Sequence, residues 1–117
     1  MSRRLQRLAV LFQRELSALI RTELRDPRIG TIVSITRIEI SSDLEDATVH
    51  TSVFGETKTK TDTINVLNAA APFLKHHLLR RLRIKSVPTL RFELDETIEE
   101  AAHILDLMKK VSGSDED

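Results

Sequence analysis

Residues 64–92 read INVLNAAAPFLKHHLLRRLRIKSVPTLRF, and the rest of the chain is arranged around them. Ile64, Leu67, Ala71, Leu74, Leu78 and Leu82 recur at helical spacing, which predicts an amphipathic helix with one buried stripe. Pro72 falls inside that stripe. It cannot donate to the carbonyl of Asn68, and its ring crowds that carbonyl. A straight helix through it costs about 3 kcal/mol. A break is cheaper, because proline as the first residue of a new helix loses nothing. The expectation is therefore a helix over 62–71, a kink at Ala70, Ala71 and Pro72, and a second helix over 72–82. The last third of the stretch carries Lys75, Arg80, Arg81, Arg83, Lys85 and Arg91 with no acid between Lys75 and Arg91. Val87-Pro88 then ends the helical pattern, and residues 89–94 read as a strand with Leu90, Phe92 and Leu94 on one side.

Upstream, residues 3–25 form an amphipathic helix. Leu5, Leu8, Ala9, Phe12, Leu16, Leu19, Ile20 and Leu24 supply its apolar stripe, and Pro27 stops it. Arg7, Arg14 and Arg21 stand seven apart with Arg3 and Arg25 close to the same line. A solvated helix face and a phosphate-contacting face both fit that stripe. Residues 31–41, TIVSITRIEIS, are strand-like, but Val33 and Ile35 have one parity while Ile38 and Ile40 have the other. A period-2 strand buries both pairs on one face only with an irregularity, such as a bulge near Thr36–Arg37. The other resolution is partial cover of both faces. Residues 41–46 are turn-forming. Residues 47–54 alternate as a second strand, antiparallel to the first. Residues 55–61 read as a loop.

Downstream, Asp95 or Thr97 caps a last helix. Ile98, Ala101, Ala102, Ile104, Leu105 and Met108 give it an apolar face. Residues 112–117 read as a disordered acidic tail, leaving a single domain over residues 1–111. Three strands with helices on one face make an α+β layer pair.

Composition narrows the function. The chain of 117 residues holds no cysteine, which excludes a disulfide framework and thiolate metal sites. No apolar run approaches the ~20 residues of a membrane span. The basic N-terminus lacks an uninterrupted apolar segment, which argues against a secretory signal and leaves the cytoplasm as the default location. Net charge is zero, yet it is unevenly spread. Residues 1–28 carry seven Arg against three acids, and residues 75–91 carry six bases and no acid. Residues 29–74 hold three bases against six acids, and residues 92–117 hold two against nine. Two basic blocks separated by acidic ones create a local field that the total hides.

Catalytic chemistry finds no foothold. His76 and His77 are adjacent, so on a helix they point about 100° apart and do not share a metal. Asp43, Glu45 and Asp46 are turn residues without His or Cys partners. Ser41 and Ser42 have no base at a recognisable spacing. No cofactor or metal is expected. Phe12 and Phe92 belong to core patterns, and no exposed stacking platform for splayed bases stands out, which favours backbone and shape contacts with RNA. The candidate RNA-binding residues are Lys75, Arg80, Arg81, Arg83 and Lys85, with Arg3, Arg4 and Arg7 as a second patch.

Four local patterns, in order and covering residues 3–110, resemble the ribosome-binding factor A family. The first helix ends in Leu24-Arg25-Asp26-Pro27-Arg28-Ile29, similar to that family's D-P-R turn. Ile38-Glu39-Ile40-Ser41-Ser42-Asp43-Leu44 with Ala47-Thr48-Val49 resembles V-x-V-S-x-D-L…A-x-V. Ala70-Ala71-Pro72-Phe73-Leu74-Lys75 stands where the family has A-x-G, an apolar pair and Arg. Leu82-Arg83 through Phe92 resembles L-R-x-x-P-E-L-x-F. The resemblance implies a type II KH fold in which a helix–helix kink replaces the GxxG loop. It further implies a non-catalytic, monomeric assembly factor that binds the small (30S) ribosomal subunit and its 16S rRNA. Such a factor aids late maturation and processing of the 16S 5′ end and supports growth in the cold. The sequence departs from the family at Pro72, where Gly is usual, at Thr89, where Glu is common, and at Lys75, which keeps the charge of Arg but not its planar fork. The competing reading is a protein-interaction module whose first or last helix pairs with a partner and whose charges only solubilise it.

Overall fold

The computed structural model describes residues 3–24 and 33–116, with the side chains of 112–116 left aside. The expected stop at Pro27 and the D-P-R turn lie outside the described residues. The order is α1 (Arg3–Glu23), β1 (Val33–Ile40), β2 (Asp46–Val53), α2 (Thr57–Leu82), β3 (Thr89–Leu94) and α3 (Thr97–Glu116). The three strands form one sheet in the order β1-β2-β3. β1 and β2 pair antiparallel through a tight turn, whereas β2 and β3 pair parallel, so α2 serves as the long crossover that a parallel pair requires.

The parity conflict in β1 is resolved by a bulge. The register with β2 shifts between Ile35 and Arg37, leaving Thr36 as the extra residue. Ile35, Ile38 and Ile40 are consequently all buried on one face. β2 buries Ala47, Val49, Thr51 and Val53, and β3 buries Leu90 and Phe92. α1 lays Phe12, Leu16, Leu19 and Ile20 into the same core, and α2 adds Leu67, Ala71, Leu74 and Leu78. Gln13 of α1 donates to the Ile35 carbonyl beside the bulge at 2.8 Å, tying helix to sheet where the ladder is irregular.

α2 corrects the expected break. The chain stays helical from Thr57 to Leu82, through Pro72. Leu67 and Ala71 before the proline and Leu74 and Leu78 after it all reach one core. Burying a leucine side chain contributes about 1.5–3 kcal/mol, so three of them outweigh the ~3 kcal/mol that an interior proline costs. Pro72 itself is exposed. α2 also begins five residues earlier than expected, at Thr57. Thr57, Thr59 and Thr61 are poor helix formers and weaken this first turn. Tertiary contacts hold it: Lys60 is 8% exposed, with its ammonium 2.5 Å from Glu99 and 3.6 Å from Glu96 at the start of α3.

α3 runs on to Glu116, past Ser112, the point at which the sequence reading ends it. Every described α3 side chain, from Thr97 to Val111, is exposed, so its apolar face packs on nothing within the described chain. The molecule is accordingly drawn out, 63 × 36 × 18 Å.

A candidate nucleic-acid interface

α2 ends at Leu82 and is capped by Arg83, which adopts the left-handed conformation (φ 53°, ψ 41°) usual just past a helix C-terminus, although glycine is the common occupant. This turn sends Ile84, Lys85 and Ser86 across the end of the sheet, before Val87 re-enters the core. The Thr89 amide donates to the Glu45 carbonyl at 2.9 Å, which holds the α2–β3 loop against the β1–β2 turn. That turn contains a second left-handed residue, Leu44 (φ 63°). Its Asp43 carboxylate accepts from the Ser41 hydroxyl at 2.7 Å and the Glu45 amide at 3.0 Å. Those bonds, the Ser41 one foremost, hold the Asp43 carboxyl below the usual carboxylate range. The Asp43 carboxylate therefore does turn chemistry, as the sequence implies.

The N-terminal turns of α1 close the third side. Arg4, Leu5, Arg7, Leu8 and Leu11 of α1, Ser42 and Leu44 of the turn, and Ile84, Lys85 and Ser86 of the loop line a cleft of about 580 Å³. Its floor is apolar and its cations are Arg4, Arg7 and Lys85. Arg3, Gln6, Arg7 and Val10 line a shallower neighbouring cleft of about 430 Å³. Residues nearly eighty positions apart in sequence are thus brought to one end of the molecule.

Among the described residues, Arg3, Arg4, Arg7, Lys75, Arg80, Arg83 and Lys85 have no carboxylate within ion-pair distance. Arg81 differs: its Nε lies 2.5 Å from Glu15 of α1. This expected RNA contact is largely spent on clamping α2 to α1. Lys75 is half-buried on a flank of α2. At 1.5 Å per residue it sits about 10 Å back from Leu82, away from the cleft. Ala70 is half-buried, Ala71 is 7% exposed and Pro72 is exposed, all within continuous helix.

Sequence reasoning missed four residues. Leu44 and Ile84 were indistinguishable from ordinary loop residues, because only the packing of two loops makes them a floor. Glu15 gave no sign of capturing Arg81. Phe73 is 45% exposed with its ring centroid 4.4 Å from that of His77 and the planes tilted by 58°, an exposed aromatic ring that the sequence pattern left unremarked. The four-residue spacing of Phe73 and His77 on one helix face was the available signal. Phe12 and Phe92 are core, as their patterns implied. Among the described residues no three metal-ligating side chains cluster, and no helix is long and apolar enough to cross a membrane.

Comparison with known proteins agrees with this architecture. The family model described as "Ribosome-binding factor A" matches residues 4–108. Ribosome-binding factor A of Clostridium novyi (strain NT) is 37% identical over 108 residues, covering 92% of this chain and 89% of that protein. The solution structure of a ribosome binding factor A from Thermotoga maritima superposes with a TM-score of 0.72 at 31% identity, covering 85% of this chain and 93% of that one. A homology model of Thermus thermophilus ribosome binding factor A, fitted into a cryo-EM map of its 30S complex, matches with a TM-score of 0.62 at 25% identity, covering 74% and 90%. The matched span takes in α1, all three strands, α2 and the first half of α3, and the chain belongs to the ribosome-binding factor A family.

Proposed function

We propose that this chain is a non-catalytic ribosome assembly factor. It binds the small (30S) subunit through 16S rRNA and assists late maturation and processing of the 16S 5′ end, including during growth in the cold. In this reading residues 1–111 act as one KH-like RNA-binding domain, a monomer in the cytoplasm, without cofactor or metal. Family membership and the relative fitted into a 30S complex support the partner. The observation that carries the RNA contact is the convergence of Arg4, Arg7 and Lys85 on one cleft. Three cations gathered without a carboxylate partner are free to neutralise phosphates, and each phosphate neutralised releases counterions condensed on the RNA.

The test is cosedimentation with immature small subunits over a salt series. The Arg4→Ala/Arg7→Ala/Lys85→Ala variant should bind more weakly, and its slope of log affinity against log salt should be shallower by about 2–3. Wild-type affinity and slope in that variant would rule the cleft out. The processing role is checked by mapping 16S 5′ ends in cells that carry only the variant, where unprocessed precursor should accumulate.

The exposed apolar side of α3, with Ile98, Leu105 and Met108 each about 60% exposed, favours a second reading in which the chain also contacts protein. Binding that follows α3 and ignores salt would select it.

A further inference from the structure

The outward face of α2 carries rings that the cleft does not use. The Phe73 and His77 ring centroids lie 4.4 Å apart with their planes tilted by 58°, and His76 meets His77 edge-on at 6.1 Å. Arg80 lies one turn further on. At 100° per residue these four side chains fall on the side of α2 turned away from Leu67, Ala71, Leu74 and Leu78. Phe73, His76 and Arg80 are exposed and His77 is half-exposed. The ring of Pro72 adds a further exposed apolar surface beside Phe73. From Thr63 to Leu82 the helix holds no carboxylate.

We propose that this strip is a stacking platform for an unpaired RNA segment. One base lies on the exposed Phe73 ring, with the tilted His77 imidazole beside it, and the following phosphate reaches Arg80. The inference rests on the RNA reading above and names the kind of RNA. In a duplex the bases are stacked on each other and their faces are closed, so flat side-chain rings find nothing to stack on. An unpaired base offers a free face, and aromatic side chains accept any base. The charge pattern selects RNA over a protein occupant, because the strip is narrow, flanked by cations and free of acids. From Phe73 the strip points along α2 toward Ile84 and the basic cleft, a run of about 16 Å. A strand anchored on Phe73 therefore has a continuous basic path to Lys85.

The test uses the full chain and a short single-stranded oligoribonucleotide carrying 2-aminopurine, whose emission falls on stacking. Wild type should quench it and bind it in preference to a duplex of equal length. Phe73→Ala should abolish the quenching and weaken binding roughly tenfold while leaving the salt slope unchanged. Arg80→Ala should instead make the slope shallower by about 0.7. The chain contains no Trp or Tyr, so Phe73→Trp should restore binding and report it through its own emission. Phe54→Ala, at an 80% exposed ring off the platform, controls for general loss of apolar surface and should behave as wild type. Unchanged quenching in Phe73→Ala would overturn the proposal. So would equal binding of duplex, or a Phe73→Ala defect confined to intact subunits, which would mark a protein contact. Loss of platform binding alone leaves the salt-dependent subunit binding of the cleft intact, so the two failures are distinguishable.

Discussion

At the scale of single residues, the bulge shows how one extra position is put to use. Thr36 is unpaired in the ladder, and its hydroxyl donates to Asp95 Oδ2 at 2.6 Å. Asp95 Oδ1 in turn accepts from the Thr97 amide at 2.9 Å, satisfying one of the open donors at the start of α3. These bonds, Thr36's the largest, hold the Asp95 carboxyl well below its ordinary 3.8. A carboxyl depressed in the folded state stabilises at pH above the unfolded value, and that stabilisation is lost as pH falls toward the folded one. Thr36→Val should therefore lower Tm at neutral pH and lose less further stability than wild type on acidification from about pH 5 to pH 2.5. Parallel acid profiles for the two proteins would show that the bond contributes nothing. Arg81 illustrates the same economy of side chains. With Arg81 48% and Glu15 20% exposed, their pair stabilises by no more than about 1 kcal/mol. Arg81→Ala should accordingly cost a little stability and leave the salt slope of RNA binding in place, unlike Arg80→Ala.

Among the elements, α2 carries most of the architecture. It spans the parallel pair, faces the core with Leu67, Leu74 and Leu78, and presents its rings outward. Its Asn68 closes an edge. The Asn68 side-chain amide donates to the Phe92 carbonyl at 3.0 Å and its oxygen accepts from the Phe92 amide at 2.8 Å. β3 is an edge strand, and this pair covers the Phe92 amide and carbonyl, two of the groups that would otherwise template another chain. Asn68→Ala should destabilise by about 1–3 kcal/mol and increase concentration-dependent aggregation, read by denaturant titration and light scattering. Pro72 makes the opposite case. Since the helix already continues through it, Pro72→Ala adds a donor for the Asn68 carbonyl and removes a steric conflict. Stability should rise by about 1–3 kcal/mol. A fall in Tm would show that the path of α2 depends on the proline ring.

Across the whole molecule, α3 stands apart from the core that holds everything else. Its described side chains are exposed, and Lys60 with Glu96 and Glu99 secures only its first turn. Removing residues from 101 onward, which keeps Glu96 and Glu99 on Lys60, should shift Tm by a few degrees at most and leave the sheet signature in circular dichroism intact. By contrast Leu74→Ala, at a position with no exposure, should cost about 2–5 kcal/mol. A truncated chain that fails to fold would mean that α3 packs on the domain in solution.

The strands and the core stripes of α1 and α2 were legible in the residues, because period and parity are local properties that burial enforces one side chain at a time. The parity conflict in β1 was legible too, but not whether a bulge or cover of both faces resolves it, and the family was legible as a resemblance of four motifs. The continuity of α2 through Pro72 was not, because summed leucine burial across both halves decides it and no local rule carries that sum. Nor were the pairing of Arg81 with Glu15, the exposure of Phe73, the isolation of α3 and the meeting of Arg4 and Arg7 with Lys85. Each depends on which segments the folded sheet brings side by side, and only the tertiary structure sets those distances.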